Sequence, residues 1–498
     1  MFLNDQETAT DLLYFEAISR TVVRLIDASK NDPLTIGIHG DWGAGKSSIL
    51  KMIESSWKDD EGTLCLWFNG WAFEGFDDAK TVVIETVVEE LTRARPRMAG
   101  VKEAATKLRK RIDWLKLARK TGGLALTAFS GMPTQDLVSD AVGLIKGLVD
   151  NPREAISIEK LREWASTASE FVRDAPEEAA GTPTHMHAFR TEFVALLDAA
   201  KIKRLVVMVD DLDRCLPSTA IATLEAIRLF LFVERTAFII GADEAMIEYA
   251  VRDHFPDLPP SSGPVSYSRN YLEKLIQVPF RIPAVGAAET RIYVSLLLAE
   301  NALGSDDPRF ARLISAARDQ LKKPWLIQGL DRSAIEVELG RLPAPIENAL
   351  AISAQVSAVL SEGAHGNPRQ IKRFLNTLML REAIAEERGF ADDIERSTLA
   401  KIMLAERFAP SFYGDLAKLA AGDINGSPKA IAALEGHAKI RGAARSAATK
   451  DEEPIEPPSA VSEWLTSEWI VRWAKTEPKL AGKDLRPYVF VTRDKRSA

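Results

Sequence analysis

The sequence predicts an α/β fold: a doubly wound parallel sheet with a large helical insert, followed by a predominantly helical region. Two observations predict the sheet. Apolar runs at 34–39 (LTIGIH), 63–69 (TLCLWFN), 204–210 (RLVVMVD) and 236–241 (TAFIIG) have the length and near-continuous hydrophobicity of strands buried on both faces. Segments of helical character separate them, the order expected of parallel crossovers. A third observation predicts the helical region. Beyond residue 283, the stretches 289–301, 346–360 and 368–381 carry apolar residues at helical spacing.

From the N-terminus, residues 11–26 (DLLYFEAISRTVVRLI) show helical spacing, and the turn Asn31-Asp32-Pro33 leads into the first strand. Helices are expected over 48–57 and 219–232. Residues 76–200 read as a mainly helical insert. Within it, 93–120 is crowded with Lys and Arg, and 174–187 carries loop chemistry in Pro176, Gly181 and Pro183. Residues 449–459 (TKDEEPIEPPS) are charged and proline-rich, as an exposed linker would be. Trp464, Trp469 and Trp473 then precede DLRPYVFVTRD in a C-terminal tail, 460–498.

The bulk composition narrows the class. With 498 residues, about two to four domains are expected, and 46% hydrophobic with 27% charged residues is ordinary for a globular chain. Lys and Arg total 64 against 71 Asp and Glu, a formal net charge of -7. That balance gives no general reason to bind nucleic acid or an anionic membrane, and leaves a local basic patch such as 93–120 open. Cys65 and Cys215, the only cysteines, match neither a disulfide framework nor a zinc site and suit a reducing compartment. The N-terminus lacks the basic and apolar regions of a secretory signal. The best membrane candidate, 121–131, falls well short of the roughly 20 apolar residues a spanning helix needs. The expectation is a soluble cytoplasmic protein without a membrane span.

The chemistry sits after the first strand. Gly40-Asp41-Trp42-Gly43-Ala44-Gly45-Lys46-Ser47 satisfies G-x-x-x-x-G-K-[ST] in full, with a strand before it and a helix after, as in P-loop NTPases. The glycines let successive backbone N–H groups face phosphates, and the helix adds the positive end of its dipole. The binding set runs from Gly40 to Ser48. Lys46 is expected on the β- and γ-phosphates and the Ser47 hydroxyl on Mg²⁺. The third strand ends in Asp210-Asp211. Asp210 is expected to hold Mg²⁺, and Asp211 to polarise the attacking water or cap the next helix. Asp243, ending the fourth strand, reads as a γ-phosphate sensor or a helix cap. The absence of N-K-x-D favours ATP over GTP.

Around these motifs the chain resembles the KAP family of P-loop ATPases. The loop sits in IGIHGDWGAGKSSIL, and WFNGWAFEG carries Phe68, Asn69, Trp71, Phe73 and Glu74 of the family's F-N-x-W-x-[FY]-E signature. DDLDRC (210–215), YLEKLIQVPF (271–280) and GNPRQIKRFLN (366–376) are similar to family segments. The resemblance covers residues 8–380 apart from the insert. It implies an additional-strand P-loop fold with a C-terminal helical lid. Many members carry transmembrane helices in the insert, and soluble bacterial relatives include the ATPase subunit of Qat-type antiphage systems. In the lid phrase, Arg369 and Arg373 lie one turn apart. Arg369 is expected to sense the γ-phosphate and Arg373 to make a surface salt bridge. Arg214 is either the partner of Asp213 or an arginine finger.

These readings divide the chain into core segments 1–75 and 201–283, the insert 76–200, a lid 284–448, the linker and the tail. The function they predict is a Mg²⁺-dependent ATPase, a switch or motor working with defence-complex proteins or with further copies of itself. An ATP-binding scaffold with negligible turnover is the alternative. His185 and His187 read as loop residues rather than metal ligands, because no further Cys or His supports them. Trp67, Trp71 and Phe73 read as core and loop packing.

Overall fold

The computed structural model describes residues 3–73, 79–95, 98, 100–120, 182–230, 232–255, 267–326, 330, 332–364, 366–444 and 459–493. Glu74, the apolar run at 121–131 and linker residues 449–458 lie outside the described residues. The chain forms two compact units, one of Ala17–Trp42 and Lys46–Ile282, the other of Met1–Glu16, Gly43–Gly45 and Pro283–Ala498.

In the first unit, β1 (Leu34–His39), β2 (Thr63–Asn69), β3 (Arg204–Asp210), β4 (Thr236–Ala242) and β5 (Val278–Arg281) form a parallel sheet in the order β2-β3-β4-β1-β5. Position in the sheet explains the strand sequences. Central β4 is buried at every residue, and β1 and β3 at all but their first, so their sequences run apolar without a break. β5, at an edge, alternates half-buried and exposed residues. It escaped the sequence reading because it has four residues and includes Pro279, which lacks an amide donor and is tolerated only at an edge. β4 lies between β1 and β3, the additional strand that the family resemblance implies.

Successive strand residues point to opposite faces, and both faces are covered. On one, Leu66, Phe68, Val207, Val209, Phe238 and Ile240 join a core with α3 (Ala79–Ala94), α4 (Val101–Lys120), α5 (Thr182–Ala199) and α6 (Pro217–Phe230). Phe189, Phe193, Phe230 and Phe238 interlock there at centroid spacings of 5.1 to 6.0 Å. On the other, Val206, Met208 and Ile239 are buried, and α2 (Lys46–Ser55) packs on β3 and β4. α1 (Glu16–Ala28), α7 (Glu244–His254) and α8 (Tyr267–Leu275) complete the described helices of this unit.

Several boundaries differ from the sequence reading, each for a local reason. The first helix starts at Glu16 rather than residue 11, because the Asp11 carboxylate accepts the N–H groups of Leu13, Phe15 and Glu16 and turns the chain first. α2 starts at Lys46 rather than 48, so the loop's lysine and Ser47 stand in its first turn. α6 begins at Pro217, whose missing amide costs nothing at a helix start. His185 and His187 lie on α5, not in a loop; Pro183 falls in its first turn, where proline is compatible with a helix.

The second unit is helical: α9 (Ala287–Leu303), α10 (Pro308–Leu321), α11 (Arg332–Leu339), α12 (Ala344–Gly363), α13 (Pro368–Glu387), α14 (Arg396–Phe408), α15 (Pro410–Gly422), α16 (Lys429–Ala444), α17 (Ser459–Trp464), α18 (Glu468–Lys475) and α19 (Arg486–Thr492). Its core includes the tail. The Phe412 ring meets Trp464 and Trp473 edge-on at 5.1 and 5.0 Å, and Trp473 donates Nε1–H to the Lys401 carbonyl at 2.7 Å. Among the described residues, no helix is long and apolar enough to cross a membrane.

Candidate nucleotide site

Register gathers the site. Asn69 stands opposite Asp210, Asp210 opposite Gly241, and His39 opposite Ala242, so β1 to β4 deliver their C-terminal residues along one end of the sheet. Ligands of open α/β sheets collect at that end. The loop leaves β1 there, with Gly43 and Gly45 at φ of 87° and 102°, values an L side chain rarely adopts.

Lys46 is buried and turned back on its own loop. Its Nζ donates to the Gly40 carbonyl at 2.8 Å and the Asp41 carbonyl at 3.3 Å, and lies 3.5 Å from Asp213 Oδ2. In the first turn of α2 the Ser47 hydroxyl stands close enough to the Asp210 carboxylate to favour its charged form. Asp210 Oδ1 also accepts the Asp211 N–H at 3.0 Å. Burial pushes the Asp210 carboxyl up to about 6, against the opposing pull of Ser47. Gly241 makes room for this pairing. A Cβ there would stand 3.2 Å from Asp210 Oδ1 and 3.0 Å from the Leu50 side chain.

Asp211 has φ of 56°, and this left-handed step starts a tight turn, Leu212–Arg214, pinned by the buried Leu212. Its carboxylate is held from two sides, by Arg214 Nη2 at 2.9 Å and Asn69 Nδ2 at 3.3 Å. Burial raises its pKa, with Arg214 pulling down and Asp213 pushing up. The partner of Arg214 is thus Asp211, not Asp213. In so tight a turn residues three apart share a face and adjacent ones do not, so Arg214 meets Asp211 and Asp213 turns to Lys46.

Asp243 accepts the Ala245 N–H at 3.0 Å and caps α7. Arg369 lies in the helical unit, in the first turn of α13 after the Asn367 cap. Its Nε meets Asp5 Oδ1 at 3.2 Å, and Arg373 Nε is 3.6 Å from Asp5 Oδ2. Trp42 and Trp71 are exposed. Of the sequence-derived residues, Lys46, Ser47, Asp210 and Asp211 come together in the core unit. Asp213 as the Lys46 partner and Asn69 as the Asp211 partner were not foreseen.

The donor set fits a hard cation with a phosphate ligand. The Ser47 hydroxyl and Asp210 carboxylate put two oxygens at one point, and Mg²⁺ takes only one or two protein oxygens, filling its shell with water and phosphate. Among the described residues no group of three or more His, Cys, Asp or Glu could hold a metal by itself.

The KAP family P-loop domain matches residues 15–385. The chain belongs to the KAP family. Within curated proteins, this KAP chain is similar to the phage T7 exclusion protein of Escherichia coli (strain K12), 25% identical over 279 residues. The match takes in 55% of this chain and 33% of that protein, so the chain spans about a third of its relative's length. Among solved structures, the ORC2 protein of Aeropyrum pernix in ADPNP–ADP complexes aligns over 97% of this chain and 94% of that one. Identity there is 13% and the TM-score 0.29, too low a score to argue from.

Proposed function

We propose that this KAP protein is a Mg²⁺-dependent ATPase in which Gly40 to Ser48 cradles the phosphates, Ser47 and Asp210 hold the metal, and Asp211 orients and deprotonates the attacking water. The observation that carries this reading is the approach of the Ser47 hydroxyl to the Asp210 carboxylate, which brings the loop's hydroxyl to the acid of β3. Bound there, Mg²⁺-ATP supplies an activated phosphoryl group. Lys46 would then leave the Gly40 carbonyl and neutralise the β- and γ-oxygens. Asp211, its pKa raised by burial, is a stronger base than a solvated carboxylate. Asn69 keeps its carboxylate aimed.

In this reading the helical unit serves as the lid, Arg369 reports the γ-phosphate, and hydrolysis drives a switch or motor in a multiprotein complex or among copies of the chain. The relative's name, a phage exclusion protein, supports a setting in antiviral defence. A second reading has its own support. Asp211 is engaged by both Arg214 and Asn69, an arrangement that suits a scaffold which binds ATP and barely turns it over.

Steady-state phosphate release separates the two. For the ATPase, release needs Mg²⁺, and Lys46→Ala and Asp211→Asn each reduce it at least about a hundredfold. Wild-type ATP binding without release above the level of Asp211→Asn would leave only the scaffold.

A further inference from the structure

Asp213 has no role in the mechanism above, yet its carboxylate is buried against the loop's lysine. Lys46 and Asp213 side chains are each 6% exposed, and Asp213 Oδ2 completes the three oxygen contacts of the Lys46 ammonium. Its other oxygen, Oδ1, is buried without a hydrogen-bond partner. Its two neighbours are better served. Asp210 accepts the Asp211 N–H, and Asp211 is held by Arg214 and Asn69. Lys46 is the one cation within salt-bridge distance of Asp213 among the described residues.

Removing the single cationic partner of a buried carboxylate is strongly destabilising. The position Asp213 takes at Lys46 is a phosphate's: an anionic oxygen facing the ammonium at the mouth of the glycine loop. We propose that Asp213 is an internal phosphate stand-in, an anion that occupies Lys46 in the ligand-free chain and that a nucleoside triphosphate must displace. The unpartnered Oδ1 gives this competitor a built-in weakness, since nothing else anchors the carboxylate once Lys46 turns away. Displacement leaves Asp213 facing incoming phosphate charge, so the device sets an affinity threshold and makes binding depend on the accompanying divalent cation. This inference rests on the nucleotide reading of the loop.

Two measurements test it on the full chain. The first needs no nucleotide. Lys46→Met strands the Asp213 carboxylate and lowers Tm, and adding Asp213→Asn recovers most of that loss, whereas additive losses would show that Asp213 does not depend on Lys46. The second titrates a fluorescent ATP analogue with and without Mg²⁺. Asp213→Asn, close to isosteric, binds about tenfold tighter than wild type, and its gain is larger without Mg²⁺ than with it. Additive Tm losses, or an affinity unchanged or weakened in Asp213→Asn, overturn the proposal. If the wild-type chain itself binds no ATP analogue, the nucleotide reading fails and the stand-in falls with it. Wild-type binding with no gain in Asp213→Asn removes the stand-in alone.

Discussion

Asp210 shows at a single residue how function can oppose stability. Asp210 is 3% exposed, and burial lifts its carboxyl to about 6 from 3.8. The folded chain therefore holds the proton more tightly than the unfolded one, and stability falls as pH rises from about 4 through 6. At neutral pH the buried charge costs about 3 kcal/mol by that shift. Asp210→Asn should accordingly raise Tm of the ligand-free chain at pH 7.5, with the gain shrinking towards pH 4. The same substitution should weaken Mg²⁺-dependent binding, because it removes the carboxylate charge that Mg²⁺ relies on. A Tm difference independent of pH would show that Asp210 is not the group under strain.

Among the elements, α13 has the most explicit start signal. Asn367 adopts an extended backbone, its Oδ1 accepts the N–H groups of Arg369 and Gln370, and Pro368 follows at the first helical position. This cap sets the direction in which Arg369 leaves the helix, towards Asp5. Asn367→Ala should cost about 1 kcal/mol in urea unfolding, and Asn367→Asp should restore most of it. Equal stability of the wild type and Asn367→Ala would show that other contacts hold the helix start. The cap was legible in the sequence because all its parts are within four residues. β5 was not legible. Its pairing with β1 comes from backbone hydrogen bonds between distant segments, and four residues are too few for their alternation to stand out in the sequence.

For the whole molecule, the informative feature is a buried ion pair that stitches the helical unit together. Lys401 Nζ on α14 donates to Glu435 Oε1 on α16 at 3.1 Å, and to the Thr476 and Pro478 carbonyls at 2.8 and 2.9 Å. Glu435 also accepts the Leu480 and Ala481 N–H groups at 2.9 and 3.2 Å. The pair thus joins two helices to a segment of the tail. Desolvation lowers the Lys401 pKa to about 8, with Glu435 opposing the shift. Glu435→Gln keeps the shape and removes the counter-charge, so it should destabilise this unit by about 3 kcal/mol in chemical denaturation. The loss should diminish above pH 8, where Lys401 becomes neutral in the fold. A loss below about 0.5 kcal/mol would mean the pair does not carry the packing.

The sequence by itself determined the phosphate loop, the strand–helix alternation and the acids at the end of β3. Each depends on neighbouring residues: glycines that permit a curled backbone, apolar runs that demand burial on both faces, and a carboxylate at a strand's end. Tertiary structure alone decided the pairings. It placed Asp213 rather than Asp210 at Lys46, matched Arg214 to Asp211, and gave Asn69 a partner 142 residues away. It also buried tail tryptophans in the helical core. Composition could not reveal these, because the choice among several nearby acids is made by strand register and by how far each side chain is removed from water.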